Sequence, residues 1–534
     1  MRIENRLWIN INYIIQLLQL KYNNAIIFLL LIIKNIKFNA MKYLYLFGIL
    51  IFLLFSTCSV NKIYEYKEEP DKPSDSEPPT ITMIYPPESE ILYNITPTFV
   101  WDLNANVLEY NLVISKDDNF QVEILDIYTT QKEYTLPEEY SLKNDSNNVT
   151  YFWKVRFKNE KGIWSDFYTS YFMESKRWHY YWFDTEGNDG HYLSMDIDKN
   201  DNPHILFFND TYKILKYIYF NGINWILQEI DNCEIGFSTS ITIDSNNNPH
   251  IIYQNFDNES LMLKYVHYDG NNWNYADIDY VGTVKITSSL ALDNNDIPHV
   301  SYYNAGSDTI NYANLNGSKW EIENIGGGGY TLGYGETNAI YIDKNDLVHL
   351  AFIDEIGVLS YAYIDDSGIN TTVLPNTYAS EVDINMDSTN NIIYIFYRTS
   401  IYDSLPRVTA NVLSCAQYQN DEWNYETIEG YIFFTKSSTG YYISSCLNTN
   451  ATPYVAFLYG GHWSGEWYTY DNLKLAYKDS SGWKRSTIDT IGYTGYYSTL
   501  KIDNYNNKHI GYCEYFDYIK GILKYAYYGW DKDY

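Results

Sequence analysis

Polar and apolar positions alternate with a period of two along most of this chain, and the runs are short. SITID at 240–244, HIIYQ at 250–254 and LKYVHY at 263–268 are examples. Period-two alternation over five or six residues predicts half-buried β-strands rather than helices. Between the runs lie Asx- and Gly-rich clusters, which predict tight turns. The predicted class is all-β.

The turns repeat. DSNNNPHIIY at 244–253 has near copies at 198–207 (DKNDNPHILF) and 293–302 (DNNDIPHVSY). The copies start at Asp198, Asp244, Asp293, Asp343, Asp387, Asn448 and Asp503, with spacings of 46, 49, 50, 44, 61 and 55 residues. Each copy carries a short strand, the Asx turn, a second strand and then a third: LKYIYF at 215, LKYVHY at 263, INYANL at 310, LSYAYI at 359, LKLAYK at 473 and LKYAYY at 523. A fourth strand begins near Trp225, Trp273, Trp320, Trp423 and Trp483. Four hairpin-linked strands at a period near 50 predict propeller blades, which bury their faces only by stacking around an axis. The last copy ends after its third strand at Tyr528, while KRWHYYWFDTEG at 176–187 reads as a fourth strand with no copy before it. The expectation is a seven-bladed β-propeller over 177–534. The N-terminal strand, through Trp178, completes the C-terminal blade and removes two exposed edges.

Residues 79–175 carry a different set of strands: TPTFVW ending at Trp101, YNLVIS at 110–115, VTYFWKVRF at 149–157, and a Gly-x-Trp-Ser turn at 162–165. This set resembles a fibronectin type III domain, which implies a β-sandwich acting as a spacer or adhesion module. The stretch from Leu142 to Val149 is longer than usual in that family. The later repeats are similar in a broad sense to the sialidase-like, BNR-type group. They lack its Ser/Thr-x-Asp-x-Gly-x-Thr-Trp box. The region holds only Arg177, Arg398, Arg407 and Arg485, against the three clamping arginines a sialidase needs.

The N-terminal part predicts export. MKYLYLFGILIFLLFSTCSVNK, 41–62, runs from Lys42 through an apolar stretch to Cys58. That order matches a signal peptide, and the run is short for a membrane span. Cys58 resembles the acylated cysteine of a bacterial lipobox, although Thr57 stands where Gly, Ala or Ser is usual. An ordinary signal peptide or a membrane anchor is the other reading. Met41 reads as the true start, with 1–57 as extension plus signal peptide, and 58–78 reads as a charged, Pro-rich disordered tether. The expected location is the bacterial cell envelope, lipid-anchored and surface-exposed.

Charge narrows the partners. Net charge is −30, and residues 1–57 contribute +5, so the remainder carries −35. Such a surface repels phosphate backbones and argues against nucleic acid. The repeated Asp reads as a turn residue; a calcium loop would need more oxygens. His204, His250, His299, His349 and His509 recur at one position, which points to packing or hydrogen bonding rather than catalysis; convergence on the axis as a metal site is the other reading. Gly326–Gly329 lacks the Lys-Ser/Thr of a phosphate loop. Cys233, Cys415, Cys446 and Cys513 show no metal spacing, and Cys415 occupies the slot that holds Tyr in the LKYA strands. No cofactor or metal is expected.

Loop length singles out one face. Turns between strands one and two are uniformly short. Connections on the opposite side vary, as in NIGGGGYTLGYGETN (324–338), RTSIYDSLPRVTAN (398–411) and YGGHWSGEWYTYDN (459–472). Variable loops on a rigid scaffold are where recognition concentrates. The candidate ligand-binding residues are Tyr330, Tyr334, Arg398, Arg407, His462, Trp463, Glu466, Trp467 and Tyr470. Flat rings with interspersed polar groups suit a sugar or peptide; alternatively, the aromatics pack the loops onto the rim. The expected function is binding of a carbohydrate or protein at a cell surface, with no catalytic residues assigned. The alternative is a glycoside hydrolase or polysaccharide lyase on the same face, near His462 and Glu466.

Overall fold

The computed structural model describes residues 79–143, 148–183, 186–257, 260–284, 286–327, 338–365, 367–402, 409–430, 439–460, 471–516 and 520–531. The predicted signal segment, Cys58 and the tether lie outside them. The described chain is all-β: apart from one turn of 3₁₀ helix at Glu138–Tyr140, its regular elements are strands. No described helix is long and apolar enough to cross a membrane.

Eight strands form the first part: β1 (Ile81–Tyr85), β2 (Ile91–Leu92), β3 (Thr98–Leu103), β4 (Val107–Ser115), β5 (Glu123–Thr129), β6 (Glu133–Thr135), β7 (Val149–Asn159) and β8 (Tyr168–Glu174). They make two sheets, β1-β3-β6 and β2-β8-β7-β4-β5. The inward residues of β7, Tyr151, Trp153 and Val155, are fully buried and alternate with half-buried outward ones, as the pleat requires. Phe99 meets Trp153 and Phe172 edge-on at 5.3 and 5.8 Å, and Trp101 meets Tyr110 at 5.5 Å. The Tyr151 hydroxyl donates to the Leu142 carbonyl at 3.1 Å and so ties down the start of the long 142–149 connection.

The rest of the chain repeats one unit. After β9 (Arg177–Phe183) come β10 (His191–Ile197), β11 (Pro203–Asn209), β12 (Ile214–Phe220) and β13 (Trp225–Asn232). The next two units are β14 (Phe237–Ile243), β15 (Pro249–Asp257), β16 (Ser260–Tyr268), β17 (Trp273–Tyr280), and β18 (Ser288–Leu292), β19 (Pro298–Asn304), β20 (Thr309–Asn316), β21 (Lys319–Gly327). Then follow β22 (Asn338–Ile342), β23 (Val348–Ile353), β24 (Val358–Asp365), β25 (Gly368–Asp387), β26 (Ile392–Tyr402), β27 (Thr409–Gln419) and β28 (Glu422–Gly430). The last strands are β29 (Thr439–Leu447), β30 (Pro453–Tyr459), β31 (Asn472–Asp479), β32 (Gly482–Asp489), β33 (Tyr493–Ile502), β34 (Lys508–Phe516) and β35 (Lys520–Gly529).

Five antiparallel sheets have four strands, and β22 to β28 form one continuous seven-stranded sheet because β25 pairs with β24 through its first half and with β26 through its second. The sheet containing β33, β34 and β35 takes β9 as its fourth strand: Trp178 lies opposite Tyr528 and Phe183 opposite Leu523. The first strands stand side by side in sequence, β10 by β14, β14 by β18, β18 by β22, β22 by β25, β25 by β29 and β29 by β33. β33 then returns to β10, so the series closes into a ring. This is the arrangement of a β-propeller.

The C-terminal residues join the sandwich to the ring. Trp530 is buried in the sandwich's own core, the Asp531 amide donates to the Tyr93 carbonyl at 2.7 Å, and Arg177 grips Asp531 at 2.9 and 3.0 Å. Cys233, Cys415, Cys446 and Cys513 are free thiols.

Candidate functional site

The Asx turns build the first of the two faces. Asp244 Oδ1 accepts the backbone amides of Asn246 and Asn248 at 2.8 and 2.7 Å, and its Oδ2 accepts the Asn248 side chain at 3.1 Å. Asp198, Asp293, Asp343 and Asp503 accept the same pair of amides in their own turns. The carboxylates are therefore occupied by their own turns, and the described residues contain no group of three or more His, Cys, Asp or Glu placed to hold a metal. A left-handed residue follows in every turn: Asp201, Asn247, Asp296, Asp346, Asn391, Ala451 and Asn506, with φ from 56 to 66°. Several of these side chains reach back to the preceding turn. Asp296 takes the Ser245 amide at 3.0 Å, Asp346 takes that of Asn294 at 2.8 Å, and Asn506 takes that of Thr449 at 3.0 Å.

The repeated histidines sit just above these turns. His250, His299, His349 and His509 meet the hydroxyls of Tyr265, Tyr312, Tyr361 and Tyr525 through Nδ1 at 2.6–2.7 Å, and His204 meets Tyr217 in the same way. Burial raises the pKa of Tyr217, Tyr265, Tyr312 and Tyr361, so each phenol keeps its proton and donates it to Nδ1. The Nε2 proton then faces the turn Asp at 3.4–4.0 Å, mostly too far for a hydrogen bond but within electrostatic reach. Trp273, Trp320, Trp423 and Trp225 press edge-on against the tyrosine of the neighbouring repeat, at 5.3–5.9 Å. The repeated Asp, His, Tyr and Trp therefore form one inter-sheet tie. Two copies show the compensation that packing demands: Tyr394 and Tyr454 stand in the His slot, and Cys415 and Leu475 stand in the Tyr slot opposite.

The opposite face is built differently. At the loop-side ends of β10, β14, β29 and β33 the register slips, because Tyr192, Ser238, Tyr442 and Tyr497 adopt left-handed φ of 49, 55, 54 and 52°. A bulky side chain there costs about 1–2 kcal/mol. Four such residues at one repeat position constitute stored strain, which proteins concentrate at functional sites. Neighbouring side chains hold the bulges in place. The Ser498 hydroxyl donates to the Tyr442 carbonyl at 2.6 Å, Ser288 donates to the Ser238 carbonyl at 3.1 Å, and Thr239 donates to the Tyr192 carbonyl.

The bulges gather rings at the axial mouth. Tyr497 lies 4.7 Å from Tyr442 and 5.0 Å from Tyr192; Tyr192 is 4.8 Å from Phe237; and His191, Tyr496 and Tyr515 extend the group. Burial raises the pKa of Tyr442 and Tyr497, so both are neutral phenols at neutral pH. Below them Glu381, fully buried, accepts the Tyr442 amide at 2.5 Å. Burial pushes its carboxyl up to about 7, against the pull of Arg398.

Among the sequence-predicted ligand residues, the described chain contains Arg398 alone. It belongs to β26 rather than to a loop and is buried. Its Nε is 3.4 Å from Glu381 and its guanidinium lies 3.7 Å over the Tyr441 ring. It braces the tyrosine cluster from beneath. Tyr330, Tyr334, Arg407, His462, Trp463, Glu466, Trp467 and Tyr470 lie outside the described residues. Sequence reasoning missed Tyr192, Tyr442 and Tyr497. The available signal was a tyrosine six residues before the repeated Asp or Asn in three copies.

No protein-family model matches the sequence, and no curated relative does. Among solved structures the chain is similar to AofleA from Arthrobotrys oligospora, with 12% identity and a TM-score of 0.38 over 60% of this chain and 91% of that one. It is also similar to the Aleuria aurantia lectin, described as a six-bladed β-propeller with a fucose recognition mode, at 14% identity and a TM-score of 0.37 over 56% and 95% of the two chains. A protein of unknown function from Dyadobacter fermentans aligns at 10% identity and a TM-score of 0.36 over 55% and 95%. At TM-scores under 0.5 these likenesses carry neither a ligand nor a blade number to this chain.

Proposed function

We propose that the protein is a cell-surface lipoprotein, acylated at Cys58, that binds a carbohydrate through the variable-loop face of a seven-bladed β-propeller. The blade count follows if β25 serves twice, once as the last strand of β22–β24 and once as the first strand before β26–β28. In this reading, 79–175 is a fibronectin type III-like spacer. Its sheet order and the Tyr151–Leu142 hydrogen bond support that assignment.

The observation that carries the proposal is the gathering of Tyr192, Tyr442 and Tyr497 at the loop-side axial mouth on strained backbone. Planar rings with neutral hydroxyls present an apolar face and a hydrogen-bond donor together, which is what a pyranose ring offers in return. The strain is retained although a glycine at these positions would relieve it. The test is a glycan array probed with the full-length protein, followed by titration of any hit against Tyr442→Ala and Tyr497→Ala. The expected result is a sugar ligand whose affinity falls at least tenfold in each variant. Binding to no glycan, or a hit indifferent to both changes, overturns the reading.

A further inference from the structure

Grooves between successive repeats are bridged by polar groups at one recurring place. The third strand of a repeat sets a residue opposite a ring on its second strand: Lys216 opposite Phe207, Lys264 opposite Tyr253, Asn311 opposite Tyr302, Lys474 opposite Phe457 and Lys524 opposite Tyr512. In the fifth repeat Ser414 stands opposite Tyr397. Several preceding repeats supply an acid six residues after their tryptophan, at Asp231, Asp279, Glu429 and Asp489. Tyr253 donates to Asp231 and Tyr302 to Asp279 at 2.7 Å, and Lys474 meets Glu429 at 2.8 Å. Lys524 and Tyr512 both reach Asp489, at 2.7 and 2.8 Å. Between the third and fourth repeats all three parts change together. Gly326 stands six residues after Trp320 in place of the acid, Phe352 in place of the tyrosine, and Ser360 in place of the lysine.

The groove at that junction holds a cavity of about 240 Å³. Gly326 and Gly327 line one side; Phe352, Ser360 and Val373 line the other. A Cβ on Gly326 would lie 3.8 Å from the Phe352 ring, and one on Gly327 would lie 3.1 Å from Glu355 Oε2, so side chains there would narrow the space. Ser360 is 1% exposed, and its hydroxyl opens into the cavity with no hydrogen-bond partner among the described residues. Both ionisable groups in the lining are acids, Asp354 and Glu355, on the turn between β23 and β24. Asp354 engages the amides of Ile356 and Val358 through Oδ1 at 3.1 and 2.8 Å, which leaves Oδ2 for another donor.

We propose that this cavity binds a primary alkylammonium, the group that the sister repeats carry on their own lysines. The stem lies along Phe352 and Val373, and the ammonium reaches the Ser360 hydroxyl and the carboxylates of Asp354 and Glu355. The volume is below the roughly 300 Å³ at which pockets for drug-sized molecules begin, which limits the occupant to one side chain or a small amine. The charge of −35 on residues 58–534 raises the local concentration of such cations. A free polyamine and a lysine of another protein offer the same group.

The test titrates the full-length protein by calorimetry in low salt with cadaverine and with Nα-acetyl-lysine methylamide, which stand for those two sources, and with pentanol as the uncharged control. The expected result is saturable one-to-one binding of at least one amine below about 10 mM and none of pentanol; the tighter amine identifies the source. Glu355→Gln, at an exposed position, should weaken binding about two- to fivefold, the range of a single exposed ion pair. Ser360→Lys should return the lysine of the sister repeats, close the cavity and abolish binding without lowering the thermal midpoint. Gly326→Leu, which fills the space from the other side, serves if that variant does not fold. The inference is overturned if neither amine saturates, if pentanol binds as well as cadaverine, or if the folded cavity-filling variants bind as before. The tyrosines of the axial mouth take no part, so a blank titration leaves the glycan reading standing and a blank glycan array leaves this one.

Discussion

The two faces of the ring are made from the same strands and solve opposite problems. On the Asx-turn face, each left-handed position is mostly Asn or Asp, each carboxylate is occupied within its own turn, and each histidine has a tyrosine. On the loop face, three of the four left-handed bulge positions are filled by tyrosine, for which that backbone is costly. The turn face minimises local energy copy by copy, and the loop face spends it to aim rings at one point. Uniformity marks the surface that holds the ring together, and irregularity marks the surface we propose for recognition.

Four substitutions or conditions separate the faces, in order of expected effect. Asp503→Ala on the turn face strands buried donors from Tyr505, Asn507 and His509 and should cost about 3–5 kcal/mol in urea unfolding, while the folded fraction binds ligand unchanged. Acid comes second. Burial and the neighbouring His267 hold His250 down to about 4, below the 6.5 of the unfolded chain. Its contribution to stability is therefore complete above pH 6.5 and is lost as pH falls toward 4, up to roughly 3 kcal/mol. His250→Gln should flatten the slope of the unfolding midpoint against pH by about one proton; an unchanged slope would place the acid sensitivity elsewhere.

Third, Tyr497→Gly should act in the reverse sense to Asp503→Ala. Relief of the left-handed strain offsets part of the lost ring packing, so stability should fall by under about 2 kcal/mol while ligand affinity drops tenfold or more. If stability collapses and affinity survives, the cluster is a core and not a site. Smallest is Ala451→Asn, at the one turn whose left-handed position is neither Asn nor Asp. The asparagine tolerates φ of 57° and can reach the preceding turn as its counterparts do, so thermal unfolding should shift upward by about 0.5–1 kcal/mol.

Much of this architecture was legible in the chain itself. Period-two alternation and the recurring Asx turn specify strands and hairpins because they act over two to five residues. The unpaired Trp178 strand announced its own partner, since an orphan fourth strand and a missing one leave a single economical pairing. The role of the histidines was half visible: repetition argued against catalysis, but the tyrosine each one meets lies 12–16 residues on, across a strand pair. What only the tertiary structure decided is where residues distant in sequence converge. β25 runs unbroken from its pairing with β24 to its pairing with β26, Trp530 leaves the ring to fill the sandwich core, and Arg398 turns inward beneath Tyr441. Tyr192, Tyr442 and Tyr497, up to 305 residues apart, meet because ring closure brings β10 beside β33. Local patterns encode what neighbours on the chain can satisfy; a cluster drawn from β10, β29 and β33 exists only once every sheet is in place.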